Sequence, residues 1–208
     1  MRLQDLTLKQ FLEKTAGKEP LPGGGSSSAL NGAIAAALTE MMANLTIGKK
    51  NYADAEAMMK QNLHKASDLR MRFIEDIDRD SDAYNLVISA YKLPKETEEE
   101  KEYRTGKIQE ATKIASLVPM EVAERASGML GIIAETVKSG NKNAVTDGCV
   151  AMLACRTAIL GALLNVRINL RGIRDDKFVS ELSLKCDLLE KEAINSEREL
   201  FEWAKNEI

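Results

Sequence analysis

Apolar residues recur along most of the chain with the alternating steps of three and four that amphipathic helices show. The longest such pattern covers residues 54–91 and predicts one long helix. Capping-box sequences at Thr7 and Thr97 predict the starts of two further helices, and a final amphipathic pattern continues to Trp203. The sequence contains no strand-like alternation. We therefore predict an all-α, single-domain bundle of roughly six or seven helices over residues 1–208.

Two predicted helices, residues 29–47 and 144–170, are almost wholly apolar and rich in small side chains. Helices of this kind pack closely against several neighbours. Asp147, Arg156 and Asn165 interrupt the second helix, so we interpret it as a core helix and predict no membrane span.

A glycine-rich turn, Gly23-Gly24-Gly25 followed by Ser26 and Ser27, precedes the first of these helices. Glycine lets the backbone turn sharply and lets a ligand approach it, and either serine can cap the free N–H groups of the first helical turn. Such a helix start attracts anions. The turn fits a plain helix start equally well, because most glycine turns bind nothing. Its spacing matches neither a nucleotide-binding P-loop nor the dinucleotide fingerprint.

The composition of the chain narrows its chemistry. A formal net charge of −3 gives no reason to expect a nucleic-acid partner. Cys149, Cys155 and Cys186 lack metal-site spacing and lie in apolar patterns, which predicts buried reduced thiols and a cytoplasmic protein. The single histidine, His64, is expected on an exposed helix face. The sequence thus lacks ligands for the zinc and di-iron sites of helical bundles, and we predict no metal.

Asp80 is the polar residue most out of place. The helical steps put it on the inward stripe of residues 54–91, next to a predicted core residue, Tyr84, and burying an unpaired carboxylate is costly. One interpretation is a buried ion pair, with Arg70 on the same stripe or with a cation from another helix. The other is a functional carboxylate. Asp78 is expected on a less inward face.

Asp147 and Asn165 lie on one face of the predicted helix 144–170, eighteen residues apart. Five helical turns separate them by about 27 Å, so the two side chains cannot serve one small reacting centre within a single subunit. Small residues line the face between them, and they either accept a close helix neighbour or leave a groove.

Several short blocks occur in order along the chain: Pro22-Gly23-Gly24-Gly25-Ser26, residues 43–50, Asp80 with Ala83-Tyr84, Leu93-Pro94-Lys95, residues 140–147 and residues 165–170. Together they resemble the formiminotetrahydrofolate cyclodeaminase / methenyltetrahydrofolate cyclohydrolase family over nearly the whole chain. The departures are small. Lys142 stands where a proline is common, and Ser27-Ser28 follows the glycine turn.

The resemblance implies an all-helical homodimer that acts on a tetrahydrofolate one-carbon derivative as substrate and needs no separate cofactor. We predict a methenyltetrahydrofolate cyclohydrolase, which opens 5,10-methenyltetrahydrofolate with water to 10-formyltetrahydrofolate. The close alternative is a formiminotetrahydrofolate cyclodeaminase, which closes 5-formiminotetrahydrofolate to the methenyl compound and releases ammonia. An alternative of another class is a non-catalytic helical binding or scaffold protein. We expect one of the two small-residue helices to form the dimer interface.

The same resemblance suggests the catalytic residues. Asp80 matches an aspartate of the family motif and is predicted to be the catalytic carboxylate, with Asp147 as the second candidate and Lys49 as proton donor. In a dimer, Asp147 of one subunit can approach the site of its mate.

For substrate binding, we predict that the turn at Gly24, Gly25 and Ser26 recognises the glutamate tail together with Lys49 and Arg167, since a guanidinium pairs bidentately with a carboxylate. Asn165 or Asn169 is predicted to hydrogen-bond the pterin. The structural alternative is that Arg167 pairs with an acidic neighbour and that the asparagines cap buried backbone groups.

Overall fold

The computed structural model describes residues 2–207, and six α-helices account for most of that range, which contains no strand. The helices are α1 (Leu8–Thr15), α2 (Gly24–Thr46), α3 (Glu56–Tyr91), α4 (Glu98–Ser139), α5 (Val145–Leu170) and α6 (Asp176–Ala204). Short 3-10 turns span Leu3–Asp5, Lys50–Ala55 and Lys142–Ala144. The predicted all-α bundle is confirmed.

Local chemistry sets the helix ends. Both predicted capping boxes are present: Thr7 accepts a hydrogen bond from the backbone N–H of Gln10, and Thr97 accepts one from that of Glu100. Gly48, at φ 77°, follows α2 in the left-handed conformation that glycine adopts without strain. These signals are local, which is why the sequence alone predicts them.

The two longest helices, α3 and α4, form an antiparallel pair. A proline in a helix interior usually kinks or breaks the helix. The structure shows one continuous α4 of 42 residues with Pro119 buried in its interior.

Small residues let α2 and α5 pack closely and antiparallel at the centre of the bundle. A Cβ added to Gly161 would overlap the hydroxyl of Ser28, and one added to Gly148 would overlap the side chain of Met42. The same pair meets α3 and α4, so the core lies where these four helices converge. The predicted close packing of the small-residue helices is confirmed.

The segment Lys142–Leu170 is, among the residues described, long and apolar enough to cross a membrane by length and composition alone. Half of its most apolar window is buried inside the bundle, against α2, α4 and α6. A buried core helix can meet the same criterion of length and apolar composition.

Three further expectations concern single side chains. The cysteine thiols are free and buried, as predicted, and burial raises the pKa of Cys155 to about 12. His64 is exposed, as predicted. Asp78 was expected to be less inward, which is wrong: it is buried because its carboxylate accepts the backbone N–H groups of Leu3 (2.7 Å) and Gln4 (3.1 Å) and so anchors the N-terminal segment to α3.

Candidate active site

A cavity of about 330 Å³ opens at the end of the bundle where α2 begins and α5 ends. Its walls come from α3, α4 and the loop before α2 as well. The lining residues are Pro20, Leu21, Gly23, Gly24, Gly25, Asp80, Tyr84, Val87, Ala115, Asn165, Ile168 and Asn169. Five of the residues predicted from the sequence therefore share one cavity: Gly24, Gly25, Asp80, Asn165 and Asn169.

Asp80 reaches this cavity from the middle of α3 and lies against the first turn of α2. Its Oδ2 accepts a hydrogen bond from the Ser26 hydroxyl at 3.2 Å, and the backbone N–H of Ser26 also bonds the carboxylate. The free N–H groups of a helix N-terminus favour a negative charge. Ser26 itself is fully buried, and its single hydroxyl proton is shared between Asp80 Oδ2 and the carbonyl oxygen of Ile77, 2.9 Å away.

The first interpretation of Asp80, an ion pair with Arg70 or with a cation from another helix, is wrong. Arg70 instead pairs with Glu40 on α2, with Nε 2.5 Å from Oε1. Among the ion pairs formed by residues 2–207, none includes Asp80. Burial raises the pKa of Asp80 above its usual range, and the hydrogen bonds from Ser26 only partly oppose that effect.

The glycine turn makes room for this carboxylate. A Cβ on Gly25 would overlap Asp80 Oδ1, and one on Gly24 would lie 3.2 Å from Asn165 Nδ2. The predicted serine cap is wrong: α2 already begins at Gly24, and the Ser27 hydroxyl donates to a backbone carbonyl. The anion that the helix start attracts is thus, in this chain, its own Asp80.

Two asparagines from the last turns of α5 complete the polar lining. Asn165 Nδ2 donates to the carbonyl of Gly161 at 2.9 Å, and Asn169 Nδ2 donates to the carbonyl of Ala115 at 2.8 Å. Each amide is oriented by its own donated bond and keeps its Oδ1 as an acceptor, an assignment that follows from the hydrogen-bond network.

Lys49 and Asp147 lie at the opposite end of the bundle. Lys49 is exposed just after α2, and Asp147 is half-buried in the first turn of α5. The two helix ends are joined there by a hydrogen bond from the N–H of Asn141 to Thr46 Oγ1, 2.9 Å long. Neither residue lines the cavity, which fits the separation of about 27 Å that helix geometry gives along α5.

Arg167 does not line the cavity either. Its Nη2 contacts Asp187 at 2.9 Å and Glu190 at 2.5 Å, both on α6. This is the arrangement of the structural alternative, in which the guanidinium joins two helices.

Several other lining residues had no predicted role in the site, and Tyr84 is the most informative of them. It was predicted in the core, but its side chain is 36% exposed and faces the cavity with Val87. The available signal was spacing, because residues 80, 84 and 87 follow one helix face. Ile168, on α5, is another such lining residue.

Another carboxylate on α3, Asp76, is buried one turn before Asp80 and was not predicted from the sequence. It contacts Arg79 on α3, with Nη1 2.7 Å from Oδ1, and Arg125 on α4. Burial still raises its pKa, although both guanidiniums act in the opposite direction. Arg79 bridges onward to Glu121, so this carboxylate belongs to a charge network between two helices.

The polar groups that line the cavity suit a ligand with positive charge and hydrogen-bond donors. Among its lining residues, all within the described part of the chain, Asp80 is the only one with a formal charge. The asparagine oxygens add neutral acceptors. No group of three or more potential metal ligands occurs between residues 2 and 207.

The chain is similar to known proteins over nearly its whole length. The family model described as formiminotransferase-cyclodeaminase matches residues 7–188. A methenyltetrahydrofolate cyclohydrolase from Methylorubrum extorquens is 38% identical over 202 residues, with 97% of each chain covered. The formimidoyltransferase-cyclodeaminase of Rattus norvegicus is 31% identical over 191 residues, which cover 92% of this chain and 35% of that protein.

The fold is also similar to a solved structure. The crystal structure of formiminotetrahydrofolate cyclodeaminase from Thermotoga maritima matches with a TM-score of 0.89 at 29% identity, covering 99% of this chain and 98% of that one. The resemblance inferred from the sequence blocks is confirmed.

Proposed function

The chain belongs to the formiminotransferase-cyclodeaminase family, and from that premise we propose that it is a folate one-carbon enzyme, specifically a methenyltetrahydrofolate cyclohydrolase. The observation that carries the proposal is the cavity in which Asp80 is the only formal charge. In 5,10-methenyltetrahydrofolate, the carbon between N5 and N10 belongs to an amidinium-like cation. A single carboxylate in a cavity of acceptors suits that cation, and the pterin N–H groups suit the oxygens of Asn165 and Asn169.

Asp80 supplies the proton transfers that this hydrolysis needs. Burial raises the pKa of Asp80, and a bound cation acts in the opposite direction and favours the ionised carboxylate. It takes a proton from the water that attacks the one-carbon unit, giving a neutral tetrahedral intermediate. The protonated Asp80 then returns this proton to N5 as the carbon–N5 bond breaks, and the hydroxyl proton leaves to solvent to give the formyl group on N10.

Tyr84 adds to the recognition of the cation. It lies one helical turn after Asp80 and lines the same cavity. An aromatic ring attracts a cation through its electron-rich face, an effect of about 0.5 to 2 kcal/mol.

The cyclodeaminase reaction is the second candidate because its product is the same methenyl cation. N10 attacks the formimino carbon on N5, and ammonia leaves from a tetrahedral carbon of the same kind. The relatives named formimidoyltransferase-cyclodeaminase favour it, although this chain spans about a third of the length of the one from Rattus norvegicus.

Two assays on the purified protein test the function. Loss of the methenyl chromophore, corrected for spontaneous hydrolysis, measures the cyclohydrolase, and ammonia release from 5-formiminotetrahydrofolate measures the cyclodeaminase. We expect the first activity to exceed the second. Activity in neither assay, together with no calorimetric binding of folinate, would leave the non-catalytic binding protein as the better account.

We further propose that the protein is a homodimer whose interface is the outer face of α2 and α5. That face exposes seven large apolar side chains, each between 36% and 64% exposed: Ile34, Met41, Leu45, Val150, Leu153, Leu164 and Ile168. An exposed apolar face of this extent on two adjacent helices is typical of an association surface. A second copy fits it because a twofold interface requires one self-complementary patch.

Such a dimer brings the two ends of the bundle together. A twofold axis across the middle of α2 and α5 would set the Asp147 end of one subunit beside the cavity of its partner. Lys49 and Asp147 would then act in the partner's site, which resolves their distance from Asp80. Sedimentation at micromolar concentration is expected to give the dimer mass.

Mixing two inactive variants tests the shared site. If Asp80 and Asp147 act in one composite site, refolding Asp80→Asn with Asp147→Asn gives mixed dimers with one intact site, and about a quarter of wild-type activity returns. If both act within their own subunit, no activity returns on mixing. If Asp147 has no role, Asp147→Asn is already active before mixing.

Recognition of the glutamate tail by Arg167, Lys49 and the turn at Gly24, Gly25 and Ser26 stays a prediction. Arg167→Ala tests it, since anchoring predicts a higher KM for polyglutamylated folates. An unchanged KM would assign Arg167 to its ion pairs with Asp187 and Glu190.

A further inference from the structure

Pro119 interrupts the backbone hydrogen bonding of α4 without ending the helix. In an α-helix each N–H donates to the carbonyl four residues earlier, and proline has no N–H. The carbonyl of Ala115 therefore lacks the helical partner that every other residue type at position 119 would supply. Both residues are buried, so this carbonyl needs a donor from elsewhere in the protein.

Asn169 supplies that donor from another helix. Its Nδ2 lies 2.8 Å from the carbonyl oxygen of Ala115, and both residues line the cavity with Asp80. Because the amide nitrogen is held at the helix backbone, Oδ1 is fixed as the remaining acceptor. Asn165 is held differently, since its Nδ2 donates to the carbonyl of Gly161 within its own helix.

We infer that Pro119 is a positioning residue for the substrate site and acts through Asn169. A proline in a helix interior is destabilising, and what this one provides is a free carbonyl at the cavity wall. The carbonyl selects one orientation of the Asn169 amide and so presents an oxygen to the donor groups of the pterin. The inference rests on the proposed function for the identity of the ligand.

Replacing the proline reverses this arrangement. In Pro119→Ala, the new N–H donates to Ala115, and the Asn169 amide loses its exclusive partner and its fixed orientation. Substrate binding then weakens although nothing that touches the substrate has been replaced. The chemical step, which depends on Asp80, is unaffected.

The test is a comparison of kinetics, binding and stability in Pro119→Ala. We expect KM for methenyltetrahydrofolate and the Kd of folinate to rise about tenfold, the value of one lost hydrogen bond, while kcat stays within about twofold. The melting temperature is expected to rise or stay the same, since the helix gains a hydrogen bond. Gly128→Ala, in open space on the same helix, is the control and should leave KM unchanged.

A double variant isolates the route through the amide. Asn169→Ala is expected to raise KM about as much as Pro119→Ala, and the double variant no further, because the proline has no effect without its amide. A wild-type KM in Pro119→Ala, or effects that multiply in the double variant, would overturn the inference. Pro119→Leu restores the same N–H and serves if the alanine variant does not fold.

Activity and folinate binding of the wild-type protein distinguish failure of this inference from failure of the proposed function. Failure of the proposed function shows as no methenyl turnover and no folinate binding before any substitution is made. If the wild-type enzyme is active and Pro119→Ala has the same KM, only the link between Pro119 and Asn169 is rejected.

Discussion

Two carboxylates, one turn apart on α3, lie against different neighbours, and Asp76 is buried whereas Asp80 is half-buried. Asp76 faces α4, where Arg79 and Arg125 surround it, and Asp80 faces the start of α2, where a hydroxyl and a backbone N–H meet it. Burial raises the pKa of both. The difference is that the counter-charges of Asp76 are side chains of the protein. Asp80 has no counter-charge in the protein and faces an open cavity instead.

The comparison separates a structural carboxylate from a chemical one. The charge of Asp76 is compensated in every state of the enzyme, so its ion pairs serve helix packing. Asp80 is compensated fully only when a cation enters the cavity. Its incomplete environment costs stability in the free protein and gives binding energy and reactivity to the substrate complex.

The largest effect is expected from Asp80→Asn. Turnover should fall by about two orders of magnitude or more, because general acid–base catalysis supplies 10²–10⁴-fold. The fold should persist, since the amide replaces a half-buried carboxylate that has no counter-ion in the protein. Turnover by the chromophore assay and the melting temperature are measured on the same preparation. Unfolding of the variant would instead mark Asp80 as a structural group like Asp76.

Gly25→Ala moves the same carboxylate without replacing it. The new Cβ would overlap Asp80 Oδ1, so the carboxylate has to shift, and we expect turnover to fall by about tenfold or more. Gly128→Ala is the matched control, because its Cβ meets nothing within 4 Å and the change should only stabilise α4, by roughly 0.5–1 kcal/mol. Equal activities of the two variants would argue against the precise placement of Asp80.

Asp76→Asn should show the opposite profile. Removing one member of a buried charge network leaves the two arginines under-compensated, so the free energy of unfolding is expected to fall by about 3 kcal/mol. Turnover per folded molecule should stay within about twofold. Urea titration measures the first quantity, and Asp82→Asn, on the exposed face of α3, is the control. A large loss of turnover with unchanged stability would erase the distinction between the two carboxylates.

The pH dependence gives the smallest effect and the finest test. In the free enzyme the raised pKa of Asp80 sets the acid limb of kcat/KM above the ordinary aspartate range, and the cationic substrate lowers this pKa in the complex, so the acid limb of kcat lies at lower pH. The raised pKa of Asp80 also makes the stability of the fold depend on pH. The folded state binds the proton more tightly than the unfolded state, so wild-type stability should fall relative to Asp80→Asn as pH rises through that window. If the acid limbs of kcat and kcat/KM coincide, the pKa of Asp80 does not change when the cationic substrate binds.

The fold was predictable because its signals are local. The capping boxes at Thr7 and Thr97 and the apolar stripe along α3 each depend on residues within one or two helical turns. Asp80 was recognisable for the same reason, as a polar residue on an apolar stripe.

Partners from distant segments were not predictable. Arg70 shares the stripe with Asp80 but pairs with Glu40, and Asp78 is buried because the N-terminal segment folds back onto it. Neither contact has a sequence signal, since each depends on how helices far apart in the chain are placed. The link between Asn169 and the carbonyl of Ala115 is of the same kind.

The most direct test of the central claim is a crystal structure of Asp80→Asn with methenyltetrahydrofolate bound. The substrate is expected to occupy the cavity between Gly24, Tyr84 and Asn169, with its one-carbon unit beside residue 80, within hydrogen-bonding reach directly or through one water. A substrate bound elsewhere, or one whose one-carbon unit points away from residue 80, would contradict the role assigned to Asp80.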